Sequence, residues 1–440
     1  KSLGQSFVGE RLRGCYHRVR SWGGRGTQKV RKWPSIRTDE IGQIDAMESI
    51  RAALGWIVRS QDVRRTANDD GGSSAWFSVA SRKWAPSYPE TTGYIIVTLL
   101  EALDTLECEP DLRCEIEERA KRMARWLLTL QLPNGAFPGG QASGAGPCPN
   151  FFNTAQILSG LLAAGLRWNE SAFLAAAERA ADWMCSIQNA DGTWERDIYD
   201  RSCRAYYAHA VWPLAAASRI ETFRRAAQYR KAAQKFVDWV LSRQRDNGWV
   251  ERSSLFTAEM RAEYSILHTI AYTIEGLLEL GATLAEEKCC AAALLAAERL
   301  MRRFEIDGVL WAEYDERWRP FANYICVTGC AQMGRIWGRC YELTRDVRYL
   351  NAMLKMNDCL RAVQPRDRAP EEIRGGFPGS IPIYGKYQPN QWPNWPVKFA
   401  LDSFLIELRL VEALRLSAVH LLAALAFREE TAMSGRRPSS

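Results

Sequence analysis

The chain has almost no strand signal. Over 440 residues, alternating apolar and polar runs bounded by turn residues occur only in short pieces such as 308–314 and 381–387, which leaves an all-α protein. It also lacks a membrane-spanning run: the apolar stretch Leu416 to Phe427 is shorter than the roughly 20 residues that cross a bilayer. Twelve cysteines do not form a disulfide framework, because Cys289 and Cys290 are adjacent and Cys326, Cys330 and Cys340 fall within helical pattern. They read as reduced core residues, which favours a cytoplasmic protein. Beyond residue 40 the chain lacks net charge. Residues 1–40 hold ten Lys and Arg against three acids, a local +7 equal to the total. That basic arm contains no apolar run of signal-peptide length. It reads as a solvated or loosely docked tail, with contact to an anionic membrane surface or a partner as the other reading, and no nucleic acid is expected.

What is present is a repeat with a period near sixty residues. Trp126, Gln131 and Gly135 recur as Trp183, Gln188 and Gly192, and again as Trp239, Gln244 and Gly248. Trp56 with Gln61, and Cys359 with Gln364, keep the first spacing and lose the glycine. Each copy ends an amphipathic, charged segment, since Gly accepts the left-handed conformation that stops a helix. Six such segments, at 41–61, 114–131, 171–188, 221–244, 284–304 and 346–364, alternate with six apolar ones. A helix that is apolar nearly all round is enclosed by neighbours, and one charged on a single face lies outside. The expected fold is therefore an (α/α)6 toroid of six inner and six outer helices over residues 41–415, followed by a C-terminal helix and disordered tail at 416–440.

The loops after each Gly lead from outer helix to inner start, so all six polar starts gather at one end of a central funnel. They are 90–94, 152–156, 206–209, 268–272, 328–332 and 394–398. Asn153 with Gln156, His268 with Tyr272, Thr328 with Gln332, and Trp395 with Lys398 stand at helical spacing. Convergence of six polar starts on one mouth points to a binding pocket.

Two resemblances follow from particular residues. The spacings LLTLQLPNGAF at 127–137 and MCSIQNADGTW at 184–194 resemble the Gln-Trp repeats of squalene and prenyl cyclases. Over its whole length the chain is more similar to bacterial six-hairpin glycosidase-type toroids found with exopolysaccharide genes, through TyrProGluThrThrGlyTyr at 88–94, HisThrIleAlaTyr at 268–272, ArgGlyGlyPheProGlySer at 374–380 and ProAsnTrp at 393–395. That second resemblance implies glycosidase, lyase or epimerase chemistry on a saccharide. Terpenoid cyclisation stands as an alternative, although the inner helix starts lack the aspartate cluster or Asp-rich diphosphate site it needs. A zinc site of Cys326, Cys330 and His268 has the spacing for three ligands. The residues around that pair lack the Cys-His neighbours of zinc-holding toroids, so no metal or other cofactor is expected.

The mouth has the groups a saccharide needs. Aromatic platforms are Trp76, Trp84, Trp194, Trp249, Trp318 and Trp395; hydroxyl partners are Asn153, Gln156, Gln332 and Asn394; cations suited to a uronate carboxylate are Arg204, Arg374 and Lys398; Tyr88 and His209 are further substrate-binding candidates. Elimination or epimerisation at a uronate requires removal of the proton beside the carboxylate, for which His268, Tyr272 or Tyr207 serve. At a helix start, unpaired amides disfavour imidazolium, so His268 is expected to be neutral. Hydrolysis instead requires two carboxyls, and Glu90 and Asp315 are the available pair. The expected partner is an oligo- or polysaccharide of the bacterial surface. A non-catalytic saccharide-binding or scaffold subunit of polysaccharide biosynthesis is the other class of reading.

Overall fold

A computed structural model describes residues 46–107, 109–142, 147–256, 259 and 263–434, with backbone alone from 417. The basic arm lies outside these. Among the described residues there are twelve α-helices: α1 (Ala46–Asp62), α2 (Pro89–Thr105), α3 (Pro110–Leu128), α4 (Phe151–Trp168), α5 (Ser171–Ser186), α6 (Ala208–Ala217), α7 (Ala226–Leu241), α8 (Leu267–Leu284), α9 (Glu287–Asp307), α10 (Val327–Thr344), α11 (Val347–Val363) and α12 (Asn394–Ser434). Even-numbered helices pack in the closed order α2, α4, α6, α8, α10, α12 and back to α2. Odd-numbered helices pack outside them, and α1 closes the outer layer against α12. The division follows from patterning: fifteen of the eighteen residues of α8 are buried, against six of the sixteen of α7. Gly93 and Gly160 let α2 and α4 approach, since a Cβ on Gly93 would lie 2.6 Å from the Gln156 carbonyl. The last inner helix runs on to Ser434.

The repeated Gln is a backbone bridge. Nε2 of Gln131 donates to the Gly135 carbonyl at 3.0 Å and to Ala176 on the next outer helix at 2.8 Å. Gln188 bridges Gly192 and Ala232, Gln244 bridges Gly248 and Ala292, and Gln364 bridges Gly375 and Ser49 across the closure of the ring. Gln61 does the same with Gly71 and Arg119. The two copies expected to lack a glycine therefore regain it through longer loops, at Gly71 and Gly375, both with positive φ. At α9 the bridging position carries Phe304, which stacks on Trp337 and lies under Lys355 of α11.

Short strands tie the mouth loops together. β1 (Trp76–Ser78) pairs with β2 (Lys83–Trp84) and with β7 (Gln391–Pro393), joining the first repeat to the last. β3 (Tyr264–Ile266) pairs with β4 (Glu313–Asp315), and β5 (Ile325–Cys326) with β6 (Ser380–Ile381). Asn394, at the start of α12, donates to Ser73 Oγ, the Ser74 carbonyl and Thr91 Oγ1 at 2.9–3.0 Å. These three contacts with the first repeat hold the ring shut.

Candidate functional site

Every inner helix begins at the same end, so the side chains of its first turn point into one funnel. The funnel is packed with rings. Tyr272 is central: His268 lies 4.4 Å away between ring centroids, His209 also 4.4 Å, Phe152 5.4 Å and Phe399 5.8 Å. Tyr387 closes over His268 at 5.6 Å, and its hydroxyl accepts from Trp395 Nε1 at 2.9 Å. Solvent reaches the cluster through the partly exposed Trp76, Tyr88, Tyr199 and His268.

Glu90, in the first turn of α2, is the carboxyl that faces these rings. The Tyr88 hydroxyl donates to its Oε2 at 2.8 Å. With the Asn153 amide turned so that its nitrogen faces the carboxyl, that nitrogen donates to the same oxygen at 3.1 Å and to Asn150 Oδ1 at 2.9 Å. Burial lifts Glu90 from the ordinary carboxylate range to about 7, against the lowering effect of the Tyr88 bond. Its charge is felt by Tyr88, Tyr94, Tyr199, Tyr206 and Tyr272, each of which burial pushes upward. A carboxyl poised near neutrality among un-ionised phenols can give or take a proton at physiological pH.

His268 shares the Tyr272 neighbour with Glu90. Its Nδ1 is 2.8 Å from Gln332 Oε1, so that pairing places the proton on Nδ1 and leaves Nε2 as a free base. Burial lowers it to about 4, with the Gln332 bond working the other way. The expected neutrality has burial, more than the helix amides, as its cause. Nearby, Gln156 Nε2, Thr328 Oγ1 and Gln332 Nε2 are buried with no partner in the protein among the described residues. Buried donors left open at helix starts are available to a ligand.

Below the rings the funnel floor is ionic. Burial would raise Glu275, yet Arg335 and then His209 hold it down at about 2, with His209 Nε2 at 3.6 Å. Arg335 also reaches Glu279 at 3.5 Å and Asp402 at 3.7 Å, while Lys398 pairs with Asp402 at 2.5 Å. Thr98 donates to the other Asp402 oxygen at 2.6 Å. Glu275, Glu279 and Asp402 are thus matched by Arg335, Lys398 and Arg339, the last 2.8 Å from Glu279, all from three inner helices.

No family model matches the chain, and no curated protein matches it in sequence. Solved structures do. An unsaturated glucuronyl hydrolase specific for heparin superposes with a TM-score of 0.64 at 12% identity, covering 83% of this chain and 98% of that one. Cellobiose 2-epimerase from Bacillus thermoamylovorans gives 0.63 at 11%, covering 83% and 99%. A GH76 α-mannanase of Bacteroides thetaiotaomicron gives 0.56 at 12%, covering 86% and 99%. The fold is an (α/α)6 toroid.

Within the toroid, several residues expected at the mouth are committed elsewhere. Asp315 spends its carboxylate on its own turn, accepting from the Arg317 and Arg319 amides and from Arg319 Nε at 2.7–3.0 Å. It is a turn-holding residue and gives Glu90 no carboxyl partner. Trp318 packs on Trp249 at 5.3 Å and donates to the Asn247 carbonyl. Arg374 binds the Ala369 carbonyl in the loop after α11, and its own carbonyl accepts from Arg59 of outer helix α1. Lys398 is held by Asp402, and Arg204 is fully buried at 3.4 Å from Asp200, so none of the three cations is presented to a carboxylate. Asn394 is the closure clamp described above. Tyr207 is fully buried, and burial raises both Tyr207 and Tyr272 well above the ordinary phenol range, which makes them unsuited as bases near neutrality. Cys330 donates to the Leu310 carbonyl, and burial pushes the Cys326 thiol to about 12, which keeps it protonated. Sequence reasoning missed Tyr94, Tyr199, Glu275, Arg335 and Asp402. The i,i+4 pairs Glu275/Glu279, Arg335/Arg339 and Lys398/Asp402 within apolar helices were the available signal for the floor.

Proposed function

We propose that the toroid acts on a saccharide at its mouth by proton transfer, with His268 as base and Glu90 as acid. The observation that carries this is their common neighbour Tyr272, whose ring lies 4.4 Å from that of His268 and feels the charge of Glu90; burial lowers the imidazole to about 4 and raises the carboxyl to about 7. Between those values both groups are in the state that the chemistry uses. In elimination at a uronate, His268 Nε2 takes the proton beside the carboxylate, the electron pair forms the ring double bond, and Glu90 protonates the departing glycosidic oxygen. In epimerisation, the same abstraction is followed by delivery of a proton from the opposite side. The unpartnered amides of Gln156 and Gln332 suit the charge that develops on the substrate oxygen. The partly exposed Tyr88 and Trp76 supply faces for the sugar, while Trp395 is buried behind them. A bacterial surface polysaccharide or exopolysaccharide, or its fragments, is the natural substrate of this reading.

Hydrolysis uses the same Glu90 as acid and is separated by product. The parent protein is incubated with uronate and neutral polysaccharides, following absorbance of an unsaturated product, deuterium uptake from D2O, and new reducing ends. Uronate-dependent absorbance or deuterium uptake is expected, with Glu90→Gln and His268→Gln each lowering it about a hundredfold or more. Reducing ends without either signal would replace the reading by hydrolysis. Glycan binding that survives both substitutions, with no turnover by the parent, would replace it by a saccharide-binding subunit.

A further inference from the structure

We infer that the mouth continues outward into a rim subsite for an acidic saccharide chain, built on Phe321, Tyr264 and Arg319. The inference rests on the saccharide reading above and adds the length and charge of the occupant. Its frame is a small sheet. β3 pairs with β4 in the register Tyr264↔Asp315 and Ile266↔Glu313. After a turn at 316–318 the chain folds back along β4, with the Asp315 amide on the Arg319 carbonyl at 3.1 Å and the Phe321 amide on the Glu313 carbonyl at 2.8 Å. Paired residues, and residues two apart, share one face of a sheet. Tyr264, Ile266, Glu313, Asp315, Arg319 and Phe321 therefore lie on one side.

That side leads away from the mouth. Its inner end, Ile266 and Glu313, is buried, and the chain passes from Ile266 through one residue to His268. At its outer end Phe321 is 61% exposed and lies nearly flat against Tyr264, with centroids 4.8 Å apart and planes 23° apart. Beside it, Asp315 holds Arg319 at 2.7 Å while 64% of the Arg319 side chain remains exposed. An apolar ring held open to water gains from being covered. Because stacking already fixes the ring, covering it costs little side-chain freedom. A flat aromatic face suits the C–H face of a pyranose, and a guanidinium braced on one edge offers its other donors to a carboxylate. The cation that the funnel does not present to a uronate stands here, one sugar or more from the reacting centre.

The test measures affinity, so it does not depend on turnover. Oligogalacturonates of two, four and six residues, and cello-oligosaccharides of the same lengths, are titrated calorimetrically into the full chain and into Phe321→Ala, Phe321→Trp and Arg319→Lys. Phe321→Ala is expected to weaken the hexamer about five- to tenfold and leave the dimer unchanged, with Phe321→Trp restoring the parent value. Arg319→Lys is expected to weaken the acidic hexamer alone. An equal loss at every length, or none, overturns the subsite and leaves the mouth chemistry standing. Equal binding of acidic and neutral chains overturns the assignment of charge. Failure of the parent to bind any chain overturns the subsite and the saccharide reading together.

Discussion

Replacing Glu90 by Gln should stabilise the protein while removing its activity. The folded carboxyl titrates at about 7, against 4.5 for the same group in water. Between these values the unfolded chain is ionised at this residue and the folded chain is protonated, so the unfolded state binds fewer protons and stability falls as pH rises. Each pH unit contributes about 1.4 kcal/mol, which gives about 3 kcal/mol lost by pH 8 relative to pH 4. Glutamine keeps the shape and an oxygen for the Tyr88 hydroxyl but cannot ionise. The difference in unfolding free energy between Glu90→Gln and wild type should therefore be small at pH 4, grow through pH 5 to 7, and level off above it. For a helical body of this size 3 kcal/mol corresponds to about 4 °C in melting temperature. Glu259, which burial also raises to about 7, is common to both proteins and cancels. Thermal melts of the pair at pH 4.5 and 8 decide the matter. A difference that does not change with pH would mean that Glu90 is ionised in the folded protein, and the acid role would fall with it.

The same two values set the activity profile: on any substrate the parent turns over, kcat/KM should fall below about pH 4 as His268 protonates and above about pH 7 as Glu90 ionises. A rate that holds level across pH 7 would exclude Glu90 as the acid. Gln188→Ala removes two bonds to carbonyls and should cost about 2 kcal/mol, or some 2–3 °C, without altering ligand affinity; an unchanged melt would show the bridge to be dispensable. Arg335→Met removes the largest charge holding Glu275 ionised and should destabilise by about 3–5 kcal/mol at pH 7, with part of the loss recovered at low pH as Glu275 protonates.

The toroid was legible because its repeat states the same mechanical need six times. A charged outer helix must stop, turn through a positive φ and hand the chain to an inner helix, and a Gln-Gly pair does this with one amide and two carbonyls. The reading weakened where the distance between Gln and Gly changes: Gly71 and Gly375 stand ten and eleven residues beyond their Gln, so a fixed spacing finds only three complete copies.

The site was legible only to the level of which end of the ring it occupies. Spacing placed Glu90, Asn153, Gln156, His209, His268, Tyr272 and Gln332 at helix starts, and the fold gathers them there. It did not distinguish a polar group that faces an opening from one that is consumed by a neighbour far away in sequence. Asn394 clamps Ser73 and Thr91 some three hundred residues back, and Lys398 is taken by Asp402 one turn on; both carry the same local signature as His268. What separates them is whether a partner atom already satisfies the group, and that is decided by tertiary packing. The floor makes the point most directly. Glu275 and Arg335 lie on different inner helices sixty residues apart, each half of an i,i+4 like-charge pair in an apolar pattern, and only closure of the ring brings them together. Once joined with Asp402 and Lys398 they neutralise the interior beneath the mouth. On the proposed reading the chemistry is left to the layer above, where burial outweighs the groups that would hold Glu90 and His268 ionised.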